Sequence, residues 1–491
     1  MIITPFQMKA VEEEAFRNGA TPEGLMEVAG EGIARCIGEF FPEPGTAVLY
    51  CGRGNNGGDG LVVARHLISW GWRVLIRLSA PESDMAELPL RHLRSLQGGE
   101  IVSFVTPIPG EQILLIDALL GIGSVGVPRG TTKDLISELN ALRSKSGGFT
   151  VAVDLPSGLD ASSGEIPGEC VQADLTVTLG AVKTALLADT ATPVVGRLAL
   201  VELPGVTIAG GDSASISTSI ALRSLLPTRN FDSYKGTYGN IGILAGSLGF
   251  LGAARLCSSA AVHAGGGLVT LYALPDCHDL LAATCIPEVM VQRIASYSEI
   301  PTDKLDVLAL GPGLGPEYHE ELRRLVRESR IPCVVDADAL NAVASDPALL
   351  AQCAGPRLLT PHPGEMERLC PRVGKTRREW ATEFTQKYPI TLLLKGSRTI
   401  IAEEGMPPVF NSTGNPGMGS GGMGDVLTGV TAALMGSGKS PREAAILGAW
   451  LCGRAAEIAI FNGSDSQESL SATSVIHRLG LAFQSLRNCK C

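Results

Sequence analysis

Short β-rich apolar runs alternate with helical stretches along nearly the whole chain. In the first part the runs are Ala47–Cys51, Arg73–Leu78, Ile113–Leu119, Thr150–Leu155, Leu175–Leu179 and Arg197–Leu203, and Leu61–Trp70 reads as a helix between the first two. This is the alternation of a parallel α/β sheet. The texture changes at Val206–Ile220, VTIAGGDSASISTSI, where Gly, Ser, Ala and Thr dominate and no core pattern runs through. The stretch reads as a linker. A second series follows: Asn240–Ala245, Leu268–Ala273, Val307–Leu310, Cys333–Asp336, Leu358–Thr360, Ile390–Leu394 and Thr399–Ala402. Helices starting near Gly424 and near Pro441 finish it. The pattern predicts two α/β domains.

Composition adjusts this picture only at a few points. The 491 residues are 45% hydrophobic but only 5% aromatic, so the cores are built from Ala, Val, Ile and Leu. The formal net charge of -10 argues against general binding to nucleic acid or to a membrane surface. It does not exclude phosphate ligands, which backbone N–H groups at helix N-termini can hold. The 12 Cys form no CxxC pair, so reduced thiols and a cytoplasmic location are expected. The opening MIITPFQMKAVEEEAF has acidic residues where a signal peptide needs an apolar run. No uninterrupted apolar stretch reaches the ~20 residues of a membrane span.

In open α/β sheets, ligands sit at the carboxyl ends of strands, and the polar clusters of this chain fall there. After Ala47–Cys51 comes GRGNNGGDG, in which Gly52, Gly54 and Gly57 spell GxGxxG. Such a turn lets amides approach a diphosphate, or it merely packs. An ordinary dinucleotide-binding unit also has an acid at the end of the next strand. Here the nearest, Glu82, lies already in the loop, which disfavours a plain NAD-dependent dehydrogenase. Asn56, Asp117 and Ser157 fall at three strand ends. A carboxamide, a carboxylate and a hydroxyl are hard oxygen donors with one formal charge, better suited to a monovalent cation than to zinc.

GRGNNGGDG, DALLGIGSVGVPRG and VDLPSGLD resemble the signature blocks of the NAD(P)H-hydrate epimerase domain, over residues 1–215. The resemblance implies a Rossmann-like three-layer fold. It implies that Asn55, Asn56, Gly57, Gly58 and Asp59, with Gly121, Ile122, Gly123, Ser124, Val125, Gly126 and Val127, cradle the dinucleotide. It further implies that Asn56, Asp117 and Ser157 bind potassium, that Asp154 lies at the reacting carbon, and that Lys183 matches the lysine of a later block. Asp154 is then the candidate acid/base, with Lys183 stabilising its charge or donating a proton. Taken alone, Asp154 would read as a cap or turn carboxylate.

In the second half, NPGMGSGGMGDVLTG (Asn415–Gly429) runs a glycine loop straight into an apolar helix, with Asp425 at its start. Free amides of Gly421 to Gly424 can stabilise phosphate charge while Asp425 deprotonates a hydroxyl. Gly311–Gly315, the strand end Val335–Leu340, Leu359–Glu365 and Leu394–Thr399 add four more blocks. Together they resemble the ADP-dependent NAD(P)H-hydrate dehydratase family, over residues 221–491, and imply a ribokinase-like fold. The resemblance implies that Lys395, Gly396, Ser397, Arg398, Thr399 and Gly424 contact the nucleotide. Ala253, Gly313, His362 and Asp425 would contact the hydrate. The family's GTGD has Met423 here in place of its Thr. Alone, His362 would read as a structural histidine.

The expected activity joins the halves: epimerisation of the R and S hydrates of NADH and NADPH (NADHX and NADPHX), then dehydration of the S form. Phosphorylation of the C6 hydroxyl by ADP, with Mg2+ bridging the donor phosphates, makes a leaving group. A homo-oligomer acting on small molecules is expected. Two other readings stay open on the residues alone. One is a ribokinase-like small-molecule kinase; the other makes the first half a binding module only.

Overall fold

The computed structural model of the protein describes residues 2–106, 110–206, 208, 213–226 and 229–489. The chain divides into two compact units between Ser215 and Ile216.

The first unit is built on a seven-stranded sheet. From one edge its strands are Gly99–Ile101, Arg73–Leu78, Thr46–Cys51, Ile113–Ala118, Phe149–Val153, Leu175–Leu179 and Arg197–Val201. Every neighbouring pair is parallel. The central strands Thr46–Cys51 and Ile113–Ala118 are buried at every position, as the continuous apolar runs require when both faces are covered. The order reverses between these two strands. The crevice at such a switch point is where doubly wound sheets bind ligands.

Helix Asn55–Ser69 starts six residues earlier than Leu61, inside the glycine segment, with Gly54 at its N-cap. Several of the glycines are there for packing. A Cβ on Gly57 would lie 2.0 Å from the Gly52 carbonyl oxygen, and one on Gly60 2.5 Å from the Ala118 Cβ. The helix therefore rests on the strand ends at a distance no side chain permits. A separate two-stranded ladder pairs Ile2–Ile3 in parallel with Val182–Lys183.

The second unit carries a ten-stranded sheet. Its order is Ser215–Ile216, Met406–Phe410, Ile400–Glu403, Thr391–Leu394, Arg357–Leu359, Cys333–Val335, Val307–Leu310, Asn240–Leu244, Leu268–Ala273 and Val289–Arg293. The strands from Thr391–Leu394 to Val289–Arg293 are parallel, whereas Thr391–Leu394, Ile400–Glu403 and Met406–Phe410 form an antiparallel meander. The reversal falls between Asn240–Leu244 and Val307–Leu310. Helices Leu251–His263, Met423–Gly436, Pro441–Phe461 and Ala472–Asn488 pack into one core. Helix Met423–Gly436 sits so close to its neighbour that a Cβ on Gly429 would lie 2.1 Å from the Cys257 carbonyl oxygen. Helix Pro441–Phe461 is long and apolar enough to cross a membrane, but 89% of its apolar window is buried inside the protein.

The expected linker is only partly one. Ser215–Ile216 is an edge strand of the second sheet, and Thr218 caps helix Ser219–Arg223. Residues 207 and 209–212 of that stretch lie outside the described residues. Just after the strand, Ser217 ties the chain to Ser412, which follows strand Met406–Phe410. Ser412 Oγ donates to the Ser217 carbonyl at 2.5 Å, and the Ser412 amide donates to Ser217 Oγ at 3.1 Å.

Candidate active sites

In the first unit, a cavity of about 720 Å³ opens at the switch point. Its wall includes Asn55, Asn56 and Asp59 from the first turns of helix Asn55–Ser69, and Gly121, Ile122, Gly123 and Ser124 after strand Ile113–Ala118. Asp154 and Lys183 complete the wall, with Arg53 and Arg129 beside them. Gly57 and Gly58 do not line it; both are buried, Gly58 against Met26. Val125, Gly126 and Val127 do not line it either, and the Val125 side chain is 91% exposed.

Asp154 follows strand Phe149–Val153 with φ at +65°, one of two non-glycine residues in the left-handed region among the described residues. Its Oδ1 accepts from Thr178 Oγ1 and from the Leu179 amide, each at 3.1 Å, and from Lys183 Nζ. Among the described residues its Oδ2 accepts nothing. Lys183 Nζ also donates to Thr178 Oγ1 at 3.2 Å and to the Leu179 carbonyl at 2.7 Å. Both side chains are almost wholly buried, at 1% exposure for Lys183 and 9% for Asp154. Three N–H groups meet three acceptors, so the ammonium stabilises the Asp154 charge and has no proton free for a ligand. Thr178 was not among the sequence candidates; a polar residue within an apolar strand, LTVTL, was the available signal.

Asn56, Asp117 and Ser157 are brought together around the Leu120 backbone. Asn56 Nδ2 donates to the Leu120 carbonyl at 2.9 Å, and the Leu120 amide donates to Ser157 Oγ at 2.9 Å. Ser157 donates to Asp117 twice, from Oγ at 2.6 Å and from its amide at 2.7 Å. Burial pushes the Asp117 carboxyl up to about 6, against the hydrogen bonds from Ser157 and Leu119. A buried carboxylate with no basic partner, beside an amide whose nitrogen is fixed and whose oxygen is left over, is a donor set suited to one monovalent cation.

In the second unit, helix Met423–Gly436 begins after Gly422, whose φ is +88°, and no side chain caps it. Asp425 is therefore not a cap. Its first turn lies against an ion pair of a half-buried lysine and a buried carboxylate: a Cβ on Gly424 would stand 3.3 Å from Lys395 Nζ and 3.6 Å from Asp336 Oδ2. Lys395 Nζ donates to Asp336 Oδ1 at 2.8 Å and stands 3.7 Å from Glu365 Oε2. Thr428 Oγ1 donates to Asp336 Oδ2 at 2.8 Å. Burial opposes the charge on Lys395, but Asp336, Glu365 and Asp425 outweigh it and hold the ammonium above the ordinary lysine range. Burial, then the charge of Asp336, pushes Asp425 up to about 6 despite Lys395. Asp336, Glu365 and Thr428 are additions to the sequence candidates. Asp336 sat in view in the strand end VDADAL, but nothing in the sequence linked it to Lys395.

The other candidates fall around this centre. Gly313, φ +65°, faces Ala253: a Cβ on it would meet the Ala253 Cβ at 3.0 Å. Ser247 Oγ donates to the Gly313 carbonyl at 2.8 Å, closing the switch point. His362 caps helix Pro363–Leu369 through Nδ1, which accepts from the amides of Gly364 and Glu365 at 3.0 and 3.3 Å. Its side chain is 52% exposed, and Nε2 stands 3.5 Å from Glu365 Oε1. In the turn Lys395–Thr399, Gly396 and Ser397 are exposed while Arg398 is buried, and Arg377 Nη2 donates to the Lys395 carbonyl at 2.9 Å. Met423 packs on the apolar core.

A doubly wound unit with a cavity at its switch point, followed by a unit with an uncapped helix N-terminus over a lysine–aspartate pair, defines a two-site α/β enzyme. One family model, described as NAD(P)H-hydrate dehydratase, matches residues 241–478, and another, described as YjeF-related protein N-terminus, matches residues 22–185. The bifunctional NAD(P)H-hydrate repair enzyme Nnr of Moorella thermoacetica is 37% identical over 467 residues, covering 88% of this chain and 87% of its own. Its counterpart in Escherichia coli is 36% identical over 456 residues, covering 90% and 86%. A ribokinase-like superfamily protein of Enterococcus faecalis shares the fold of the second unit, with a TM-score of 0.50 at 24% identity over 58% of this chain and 100% of that one. The chain belongs to the family of bifunctional NAD(P)H-hydrate repair enzymes.

Proposed function

We propose that this chain repairs hydrated NADH and NADPH in two steps. The first unit interconverts the R and S hydrates, and the second dehydrates the S form at the expense of ADP. The observation that carries the reading is that one chain holds both sites, each at the carboxyl ends of the strands of its own sheet and each with a carboxyl beside a lysine.

For epimerisation, Asp154 is the base at the reacting carbon. Its Oδ1 is fixed by three donors, Lys183 among them, so Oδ2 remains to take a proton. Arg53 and Arg129 at the cavity wall suit the diphosphate. Asn56, Asp117 and Ser157 would hold potassium, whose charge would steady the loop on which Gly121 stands.

For dehydration, Asp425 takes the proton from the C6 hydroxyl as that oxygen attacks the terminal phosphorus of the nucleotide. The uncapped amides of Met423–Gly436 receive the phosphoryl charge. The C6–O bond then breaks with its electron pair on the departing phosphate, which takes up the C5 proton, and the C5–H pair forms the C5=C6 bond that restores the ring, leaving a nucleotide one phosphate shorter. Among the described residues no group of three His, Cys, Asp or Glu is arranged for a metal. Magnesium bound with the nucleotide would supply charge neutralisation for the phosphoryl group as it is transferred. Free cysteines throughout the described chain suit a reducing compartment such as the cytoplasm.

The test supplies an R and S hydrate mixture with ADP, with ATP or with neither, and follows the absorbance of reduced nicotinamide. Recovery of the whole mixture with a nucleotide is expected. Recovery that stops at the S share would remove the epimerase step, and none would remove the reading. Exchanging potassium for tetramethylammonium should slow recovery of the R share and leave the S share unchanged.

A further inference from the structure

Helix Pro5–Arg17 precedes the span matched by the YjeF-related N-terminal family model, which begins at residue 22. It is nevertheless tied to the first site in two ways. Ile3 pairs with Lys183 in the small parallel ladder, so the chain start fixes the backbone of that lysine. Glu12, on the same helix, lines the cavity together with Asp59, Asp154 and Lys183.

Three carboxyls thus share a wall with one ammonium, and that ammonium is already committed. The three N–H groups of Lys183 go to Asp154 Oδ1, Thr178 Oγ1 and the Leu179 carbonyl. The side chains of Asp59 and Glu12 accept no hydrogen bond from the described residues. The other cations of the wall, Arg53 and Arg129, are exposed.

We propose that Asp59 is the proton donor of the epimerase site and that Glu12 is the positioning residue that holds it in that role, with Asp154, on the same cavity wall, as the base. This rests on the epimerase reading given above. The electrostatics agree with the geometry. Burial, then the charges of Asp154 and Glu12, raises Asp59 well above the usual carboxylate range, and Lys183 only partly offsets them. Burial also raises Glu12.

The step balances without any further reactant. The Asp59 proton passes to the C6 hydroxyl, and the C6–O bond breaks with its electron pair leaving on water. The N1 lone pair forms the N1=C6 bond. Asp154 takes a proton from a water that adds to the opposite face; the new C6–O bond forms and the N1=C6 pair returns to N1. Asp154 gains the proton that Asp59 lost, and transfer between the two carboxyls restores the site.

The experiment uses the full chain and measures R-to-S conversion by NMR across pH, with the thermal melting profile as the control for folding of the first unit and nucleotide-dependent dehydration of S hydrate as the control for the second. Asp59→Asn should lower conversion ~100- to 10,000-fold and leave dehydration unchanged. A donor works only while protonated, so the wild-type rate should fall as pH rises through the Asp59 pKa. Glu12→Gln removes a neighbouring negative charge and should bring that fall to lower pH. Conversion by Asp59→Asn at the wild-type rate would overturn the proposal. So would Glu12→Gln whose rate drops equally at every pH with the alkaline limb unmoved, which is what a merely structural Glu12 gives. If the wild-type chain itself failed to interconvert the hydrates, the epimerase reading would fall, and this inference with it.

Discussion

Asp154 and Ala337 are the two described non-glycine residues with left-handed backbone, at φ +65° and +46°. Each marks a carboxylate held by a lysine, buried at Asp154 and half-buried at Asp336, which directly precedes Ala337. Such conformations cost ~1–3 kcal/mol and persist where the surroundings over-determine them. At Asp154 three donors to Oδ1 do so; at Asp336 Lys395 and Thr428 each take one oxygen. The titration of Asp425 follows from the second arrangement. A base acts only when ionised, and burial with the Asp336 charge pushes Asp425 up to about 6. The kcat/KM for dehydration, which reports the free enzyme, should therefore fall on the acid side with a midpoint near that value. A limb in the ordinary range near pH ~4 would separate Asp425 from proton transfer.

At the scale of elements, the strands around both switch points were legible because parallel strands buried on both faces read as unbroken apolar runs. Thr46–Cys51, Ile113–Ala118 and Val307–Leu310 lie within a residue of their expected bounds. What escaped were edges and short pieces. Val289–Arg293 and Gly99–Ile101 are half exposed, and Ser215–Ile216 is held by hydroxyl and backbone hydrogen bonds, so none has an apolar signature. The site residues were legible where a glycine loop or a PSG turn announced them. Glu12, Thr178 and the Asp336–Lys395 pair were not, because each depends on tertiary pairing across many residues. The glycine motif carried two meanings at once: Gly54 and Asn55 line the cavity, while Gly57 lets the helix sit on the strand end. Gly57→Ala would place a Cβ 2.0 Å from the Gly52 carbonyl oxygen, a backbone atom that cannot swing aside. Overpacking of this kind costs ~1–3 kcal/mol or more. The variant should lower the melting temperature of the first unit and slow epimerisation, with dehydration of S hydrate unaffected. An unchanged melting profile would contradict the packing account.

At the scale of the whole molecule, both sheets repeat one plan. Counting from the strand that opens each switch point, the carboxylate of the lysine pair follows the third strand in sheet order, Phe149–Val153 in one unit and Cys333–Val335 in the other. Because Ser215–Ile216 belongs to the second sheet, a fragment beginning at Ser213 should fold and dehydrate S hydrate with a nucleotide while leaving R hydrate untouched. A fragment beginning at Ile220 lacks that edge strand and should be less stable in denaturant. Equal stability would make the edge strand dispensable.

The account centres on two chemically independent sites that act in sequence, and pure R hydrate tests it most directly. Wild type, Asp154→Asn and Asp425→Asn would each receive R hydrate with nucleotide, and separately S hydrate with nucleotide, with both epimers and reduced nicotinamide followed over time. Wild type should recover reduced nicotinamide from either epimer. Asp154→Asn should recover it from S alone. Asp425→Asn should recover it from neither, with loss of ~100- to 10,000-fold in dehydration, while still converting R to S. Near-normal recovery from S by Asp425→Asn, or from R by Asp154→Asn, would contradict the assignment of those two carboxylates.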